Sequence, residues 1–374
     1  MIGKFDGIPN LLHVGFEEAR RLLSEKVEEG PITTVMDWAY HTPAEKLNII
    51  HIRDWHNPDD PLQKDHLAQF GNHCIQNTEG AEFVFAKSIL PDRTHHIVNA
   101  SGLNDFVNTN LEEILSPYKS EPVKVGLMGV WTEAKVTFLA YDLKTRYPNF
   151  EIAVCSALCA SSSRTMHFVS LDQLTSILGV KVFSSVGDFT NFLTGTLPKI
   201  EHKIQDKKAI QLKFSDPNYS VSDVDTQILL YLFRDAKEVE FLCLDGGFSG
   251  NVVLKARAMD KFGHYQVPTV IKIGKRELIA KERSSFEKIQ EVLGNNAPSI
   301  VDFAELEDRG AIKYRYAAML DNGVKTFQKY YGVVDDIEKI KHKLEIVFRK
   351  QLGRLYDAST NEKLNLLEYY EYSN

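Results

Sequence analysis

Asp54, His56 and His73 are the residue types in this chain best suited to chemistry at their spacing. They lie in residues 49–84, IIHIRDWHNPDDPLQKDHLAQFGNHCIQNTEGAEFV. The opening Ile49-Ile50-His51-Ile52 predicts a short buried strand. Side chains alternate along a strand, so Asp54 and His56, at i and i+2, leave its end on one face. His73 comes from a second loop, just before Cys74 and a Gln76-Asn77-Thr78-Glu79-Gly80 turn. One carboxylate and two imidazoles converging from two loops make a ligand set for zinc, iron or manganese with open coordination positions. Spacing alone equally admits three polar loop residues with unrelated roles.

The wider pattern narrows the choice. RDWH followed by H-C-x-Q-x-T-x-G-A-E-F resembles the metal-bearing stretch of the nicotinamidase branch of the isochorismatase-like cysteine hydrolases. The resemblance implies Asp54, His56 and His73 as metal ligands, with His66 a further candidate of less fitting spacing. It extends over roughly residues 8–195. GVWTEAKVTFLAYDL resembles the family's strand-to-helix nucleophile turn, G-V-x-T-x-x-C-V. ALCASSSRTMH, from Ala157 to His167, resembles D-A-x-A-S-x-x-x-x-x-H with Ala157 in place of the Asp. The fold implied is a three-layer α/β/α arrangement around a mainly parallel sheet.

The elements that must position these residues are legible as periodicity. A strand is expected from Asn10 to Val14 and a helix from Phe16 to Val27, with Ala19, Leu22 and Leu23 on one side. Gly30-Pro31 punctuates the chain before a helical piece, Ile32 to Tyr40. His96 to Val98 is a short strand and Asn110 to Leu115 a helix. VKVGLMGV, Val123 to Val130, reads as a central strand running into a helix over Thr132 to Thr145, where Val136, Leu139, Ala140 and Leu143 recur at three and four. A strand from Phe150 to Val154, a helix over SSSRTMHFVSLDQLTSIL and a strand from Val180 to Phe183 complete the series. Such alternation predicts a parallel sheet covered on both faces, with sites at the carboxyl ends of its strands. The Asp54/His56 turn and the Val130–Thr132 turn both lie at such ends and could face one crevice.

The chemistry the resemblance implies is incomplete. The family uses a Cys thiolate at the start of the helix, where the helix N-terminus lowers the thiol pKa and backbone N–H groups hold an oxyanion. Here Lys135 stands at the cysteine position, Asn99 at the family's lysine position and Gly15 at that of its general-base aspartate. Asp37 is a rival for the aspartate, although TTVMDWA reads as helix. A lysine amine is mostly protonated at neutral pH unless desolvated, and a helix N-terminus disfavours a cation. The thiol mechanism is therefore expected to be absent. Lys135 is read as an ion-pair partner of Glu133 or another surface acid, with a Schiff base or a bound carboxylate as the sharper alternative. Cys74, Cys155 and Cys159 read as buried small hydrophobes. A water activated by the metal is a remaining nucleophile. No general base is evident to assist it, since Glu79 and Glu82 read as solvated acids.

From about Ile200 the texture changes to the charge-rich EHKIQDKK. A helix from Val224 to Arg234 and a strand from Val239 to Leu244 lead into Gly246-Gly247-Phe248-Ser249-Gly250, and a strand from Asn251 to Ala256 follows. Such a turn can lie over phosphates, or be a plain hairpin. The strand Thr269 to Lys272 carries one lysine among apolar neighbours. The helix Arg276 to Leu293 places Glu282, Phe286, Ile289 and Leu293 on one face, and Lys272 is the natural cation for Glu282. This order resembles the small lobe of protein-kinase-like and aminoglycoside-phosphotransferase-like folds over about residues 225–325. The resemblance implies Gly247, Gly250, Lys272 and Glu282 as nucleotide-binding candidates. The loop lacks G-x-G-x-x-G, and no H-R-D or D-F-G follows, so phosphoryl transfer is not expected. A scaffold role is the default here and ATP binding the alternative. An amphipathic helix is expected from Asp336 to Tyr356.

With 374 residues the chain suggests two domains. The expected division is 1–198 for the hydrolase-like part, 199–220 for a linker and 221–374 for an α+β part. The apolar and charged fractions, 43% and 25%, are those of an ordinary soluble globular protein. A net charge of −7 argues against a general nucleic-acid binder. No apolar run reaches membrane-spanning length, MIGKFDG lacks a signal-peptide pattern, and four cysteines make no disulfide framework. A cytoplasmic location is expected. The first functional reading is a catalytically impaired relative of nicotinamidases that binds a metal or small ligand and serves regulation or a protein partner. The second is a metal-dependent amidohydrolase of nicotinamide or a similar small amide. The third is a structural subunit. The resemblance also implies a homo-oligomer.

Overall fold

The structure, a computed structural model, describes residues 2, 12–24, 26–198, 210–217, 219–244, 251–294, 299–315, 327–357, 359 and 365. Two compact units are present, Met1–Lys288 with Ile300–Tyr316, and Ile289–Ser299 with Ala317–Asn374.

The first unit begins with α1 (Phe16–Leu23), α2 (Pro31–His41), β1 (Ile50–Asp54), α3 (Lys64–Phe70), β2 (His96–Ala100) and α4 (Leu111–Leu115). It continues with β3 (Val123–Val130), α5 (Thr137–Arg146), β4 (Phe150–Ala160), α6 (Arg164–Ser176), β5 (Lys181–Phe183) and α7 (Val186–Thr194). Every pairing among these strands is parallel: β1 with β2, β3 with β4, and β4 with β5. The central strand β4, FEIAVCSALCA, is buried along nearly its whole length, as a strand covered on both faces must be. Ala153 and Cys155 face a core cluster shared with α1, α2 and α7. Ile152 and Val154 face another, shared with α4, α5 and α6. These are the three layers anticipated from the sequence. Pro31 opens α2 where its missing N–H costs nothing, and the Ser163 side chain caps α6 by accepting from the Met166 N–H.

Several boundaries differ from expectation. Residues 12–14 of the strand expected over Asn10 to Val14 form a turn and irregular backbone; residues 10 and 11 lie outside the described residues. The helix expected to reach Val27 ends at Leu23, because Ser24 adopts φ 60°, and Val27–Glu29 forms a separate 3-10 turn. β4 continues past Val154 to Ala160, since its small and apolar residues suit a strand buried on both sides. The β3–β4 register jumps between Leu127 and Gly129, which pair with Val154 and Cys159. That irregularity exchanges the faces, so Leu158 joins the Cys155 side and Cys159 the opposite one.

The same unit contains a second sheet. Its elements are β6 (Gln211–Phe214), α8 (Asp223–Leu232), β7 (Ala236–Cys243), β8 (Val252–Asp260), β9 (Thr269–Lys275), α9 (Arg276–Leu293), β10 (Ile300–Leu306) and β11 (Arg309–Arg315). The strand order is β10-β11-β9-β8-β7-β6, antiparallel except for the β6–β7 pair. β6 lies inside the stretch read from sequence as a linker. Ile271 and Ile273 of β9 join the cluster with α8, whereas Val270 packs with Ile279 and Phe286 of α9. Period-two alternation therefore turns Lys272 toward α9.

In the second unit, α10 (Phe327–Tyr331) is followed by α11 (Ile337–Glu345), a π-helical turn (Ile346–Gln351) and α12 (Gly353–Asp357), the last three covering the helix expected over Asp336 to Tyr356. None of residues 327–357 is buried. Among the described residues no helix is long and apolar enough to cross a membrane.

Candidate functional site

The site is assembled where β1 ends. The Trp55 N–H donates to Ala100 O (2.8 Å), so the chain still follows β2 at that point. His56 then forms a parallel bridge with Ile75. Its N–H donates to Cys74 O (3.0 Å), and the Gln76 N–H donates to His56 O (2.9 Å). These bonds strap the His73 loop beside His56, and α3 brings His66 against both. Nitrogens of His56, His66 and His73 all lie within 4.8 Å of one another. His66 Nε2 and His73 Nε2 are 3.3 Å apart.

Hydrogen bonds orient two of these rings. The His73 Nδ1–H donates to Gly71 O (2.7 Å). The His56 Nδ1–H donates to Gln63 Oε1 (3.1 Å), which also accepts the Asn57 N–H (3.1 Å). Gln63 is itself held, because its Nε2 donates to Asp60 Oδ2 (2.7 Å). With Nδ1 protonated on both rings, the Nε2 lone pairs are free for a metal. His56 Nε2 is buried and has no hydrogen-bond partner, a defect that a metal ion would remove. Nitrogen ligands on tetrahedral zinc stand roughly 3.3–3.4 Å apart, the separation seen between His66 and His73. The three imidazoles therefore fit a metal. Burial is the main cause holding all three below the usual histidine pKa, so they are neutral and able to coordinate near pH 7.

Asp54 is committed elsewhere. Lys135, on the π-helical turn Thr132–Val136 between β3 and α5, reaches back across the crevice. Its ammonium lies 3.3 Å from Asp54 Oδ1 and donates to Asp105 Oδ1 (2.5 Å) and Gly102 O (2.6 Å). Gly102 O and Asp105 Oδ1 thus accept two of the three ammonium N–H bonds, and Asp54 is held by charge. Asp105 is buried; desolvation pushes its carboxyl up, and the Lys135 charge and hydrogen bond oppose that rise. Glu133 is not the partner anticipated for Lys135. It accepts from the hydroxyls of Ser161 and Ser162 and from the Ser162 N–H (3.0 Å).

The other sequence candidates are placed as follows. Asn99 Oδ1 accepts from Arg53 Nε (2.9 Å), and the Arg53 guanidinium stacks on Trp55 at 3.9 Å. Gly15 precedes α1 with φ 90°, a conformation glycine adopts without strain. The Trp131 indole N–H, next to the nucleophile turn, donates to Leu12 O (3.0 Å), so that turn is tied to the segment before Gly15. Burial pushes the Cys74 and Cys155 thiols up, and that of Cys159 up to about 12, so none of the three is poised as a thiolate. In the second sheet, Lys272 Nζ donates to Glu282 Oε2 (2.6 Å), the pairing expected from sequence, and Tyr314 OH donates to Glu282 Oε1 (3.2 Å). Gly247 and Gly250 lie outside the described residues. Gln63 and Asp105 were missed in the sequence, where neither carries a signal beyond Asp60-Pro61 opening a helical turn ahead of Gln63.

Residues 28–185 match the family model described as the isochorismatase domain, and residues 238–374 match one described as ternary complex associated domain 9. No curated protein matches the chain. Among solved structures, a nicotinamidase/pyrazinamidase from Bacillus subtilis is 21% identical, over 46% of this chain and 88% of that one, with a TM-score of 0.38. A pyrazinamidase/nicotinamidase from Streptococcus mutans UA159 is 22% identical, over 46% and 90%, with a TM-score of 0.38. The pyrazinamidase of Pyrococcus horikoshii, solved in complex with zinc, is 24% identical, over 44% and 92%, with a TM-score of 0.35. The first half of the chain is a parallel α/β fold, within which residues 28–185 match the isochorismatase-domain model, and an α+β region follows it.

Proposed function

We propose that this protein is a catalytically retired isochorismatase-type hydrolase that keeps a metal centre and serves as a ligand-binding or interaction protein. The observation that carries the reading is Lys135 at the head of the β3–α5 turn, ion-paired with Asp105 and Asp54 where a hydrolase of this type needs a thiolate. An ammonium, with no lone pair on nitrogen, is neither a nucleophile nor a base. Asn99 and Gly15 offer no charged substitute for a lysine and a general base. His56, His66 and His73 would hold a zinc, iron or manganese ion, which supplies a Lewis acid able to fix a ring nitrogen or a carboxylate.

The second sheet supports a scaffold of kinase-small-lobe type. Five of its strands run in the order β7-β8-β9-β11-β10, with α9 between β9 and β10 and the Lys272–Glu282 pair beneath it. A protein partner or a second copy of the chain is the natural recipient of such a scaffold.

The test is hydrolysis of nicotinamide and related small amides with added zinc, iron or manganese, on wild type and Lys135→Ala. Neither protein should release ammonia above the buffer rate. Appreciable wild-type turnover would overturn the reading in favour of a metal-dependent amidohydrolase.

A further inference from the structure

Asp54 lies beside three imidazoles without joining them. It closes β1, two residues before His56. The nitrogens that converge are nonetheless only those of the three histidines. Among the described residues the cation paired with Asp54 is Lys135, 3.3 Å from Oδ1, and the Asp54 side chain is only 9% exposed. Two anchors hold Lys135 there independently of Asp54, namely Asp105 Oδ1 at 2.5 Å and Gly102 O at 2.6 Å. The ammonium is thus fixed at the end of β1 rather than a mobile surface charge.

We propose that Lys135 sets the metal preference of this centre by retaining Asp54 in an internal ion pair, which leaves a site of three imidazoles. This inference rests on the metal reading above and names its selectivity. Ligand chemistry gives the consequence. Three imidazoles and no carboxylate suit zinc, whereas manganese prefers oxygen donors. An ammonium beside the centre also adds repulsion that a weakly held ion tolerates least.

The experiment is calorimetric titration of the full chain with zinc and, separately, with manganese, on wild type, His56→Ala, Asp54→Asn, Lys135→Met and the Lys135→Met/Asp54→Asn double variant. Wild type should bind zinc at least about a hundredfold more tightly than manganese, by the ordering of divalent metals on imidazole ligands. Asp54→Asn should leave zinc affinity within about threefold of wild type, because an outer group that orients no ligand falls below the usual second-shell effect. Lys135→Met should raise manganese affinity about tenfold or more and zinc affinity less, as a freed carboxylate favours the harder ion. The double variant should lose that gain. A tenfold or larger loss of zinc affinity in Asp54→Asn, or unchanged manganese affinity in Lys135→Met, overturns the inference. Zinc binding that His56→Ala leaves intact, or no zinc binding by wild type, overturns the metal reading itself.

Discussion

Gln63 shows how a single side chain decides what His56 can do. Its carboxamide oxygen accepts from His56 Nδ1–H and from the Asn57 N–H, while its nitrogen donates to Asp60. Asp60 Oδ1 in turn accepts the Leu62 N–H at 3.0 Å, so the carboxamide cannot flip without losing a charge-assisted bond. Removing an outer partner of this kind typically costs 10–100-fold in metal affinity. Gln63→Ala should therefore weaken zinc binding by about ten- to a hundredfold, measured against a chromophoric chelator, with the thermal transition little changed. A loss under about threefold, below that range, would mean that packing alone orients His56. Nothing in the spacing of residues 60–63 signals this role, because hydrogen bonding to an imidazole leaves no spacing rule. His66 illustrates the same limit. Its distance along the chain fits a linear ligand motif poorly, yet α3 folds it back to 3.3 Å from His73.

Elements were more legible than sites. β3 has the expected bounds Val123–Val130, and α9 the expected bounds Arg276–Leu293, because a mostly apolar run and a long 3.6-residue period are strong local signals. The extension of β4 through ALCA and the π-helical turn at Ile346–Gln351 within the C-terminal helix are set by packing and by local hydrogen bonding, which periodicity does not encode. The elements also bury groups that respond to pH. α6 places His167 in the core, where its Nδ1 meets the Thr132 hydroxyl at 2.9 Å, and burial lowers its pKa to about 2. β1 places His51 against Tyr40 OH at 2.7 Å, and burial lowers its pKa to about 4. An unfolded histidine takes up its proton near pH 6.5. Between that value and the lowered one the unfolded chain binds more protons, so stability falls as pH falls. Denaturant melts from pH 7 to pH 5 should show this loss, and His167→Asn should reduce its slope by up to about 1.4 kcal/mol per pH unit. An unchanged slope would mean that His167 is already protonated in the folded protein.

At the scale of the molecule, the isochorismatase-type half and the second sheet meet across α9, and charge is buried where they meet. Arg164 Nε donates to Glu18 Oε1 (2.7 Å), its Nη2 pairs with Glu18 Oε2, and its Nη1 donates to Glu287 Oε2 (3.2 Å). Arg283 donates to Ser184 O (2.5 Å) and stacks on Phe303 at 3.9 Å. Glu305 of β10 accepts the Ser185 hydroxyl (2.8 Å) and the Gly187 N–H (2.9 Å) at the start of α7. Arg164 and Arg283 are 4% and 2% exposed, so these contacts are interior ones, although both residues read as surface charges in a sequence. Truncating one member of a buried pair leaves its partner charge unpaired, at a cost of about 3–5 kcal/mol. Arg164→Ala should destabilise by that amount in urea unfolding, and should move the melting of both sheets together. Lys288→Ala removes an ion pair to Asp172 at the rim of the same seam, where the two side chains are 54% and 68% exposed, and should change stability little. If Arg164→Ala instead separated the unfolding into two transitions with the first sheet unaffected, α9 would be a docked appendage, and the two sheets would not share one cooperative core.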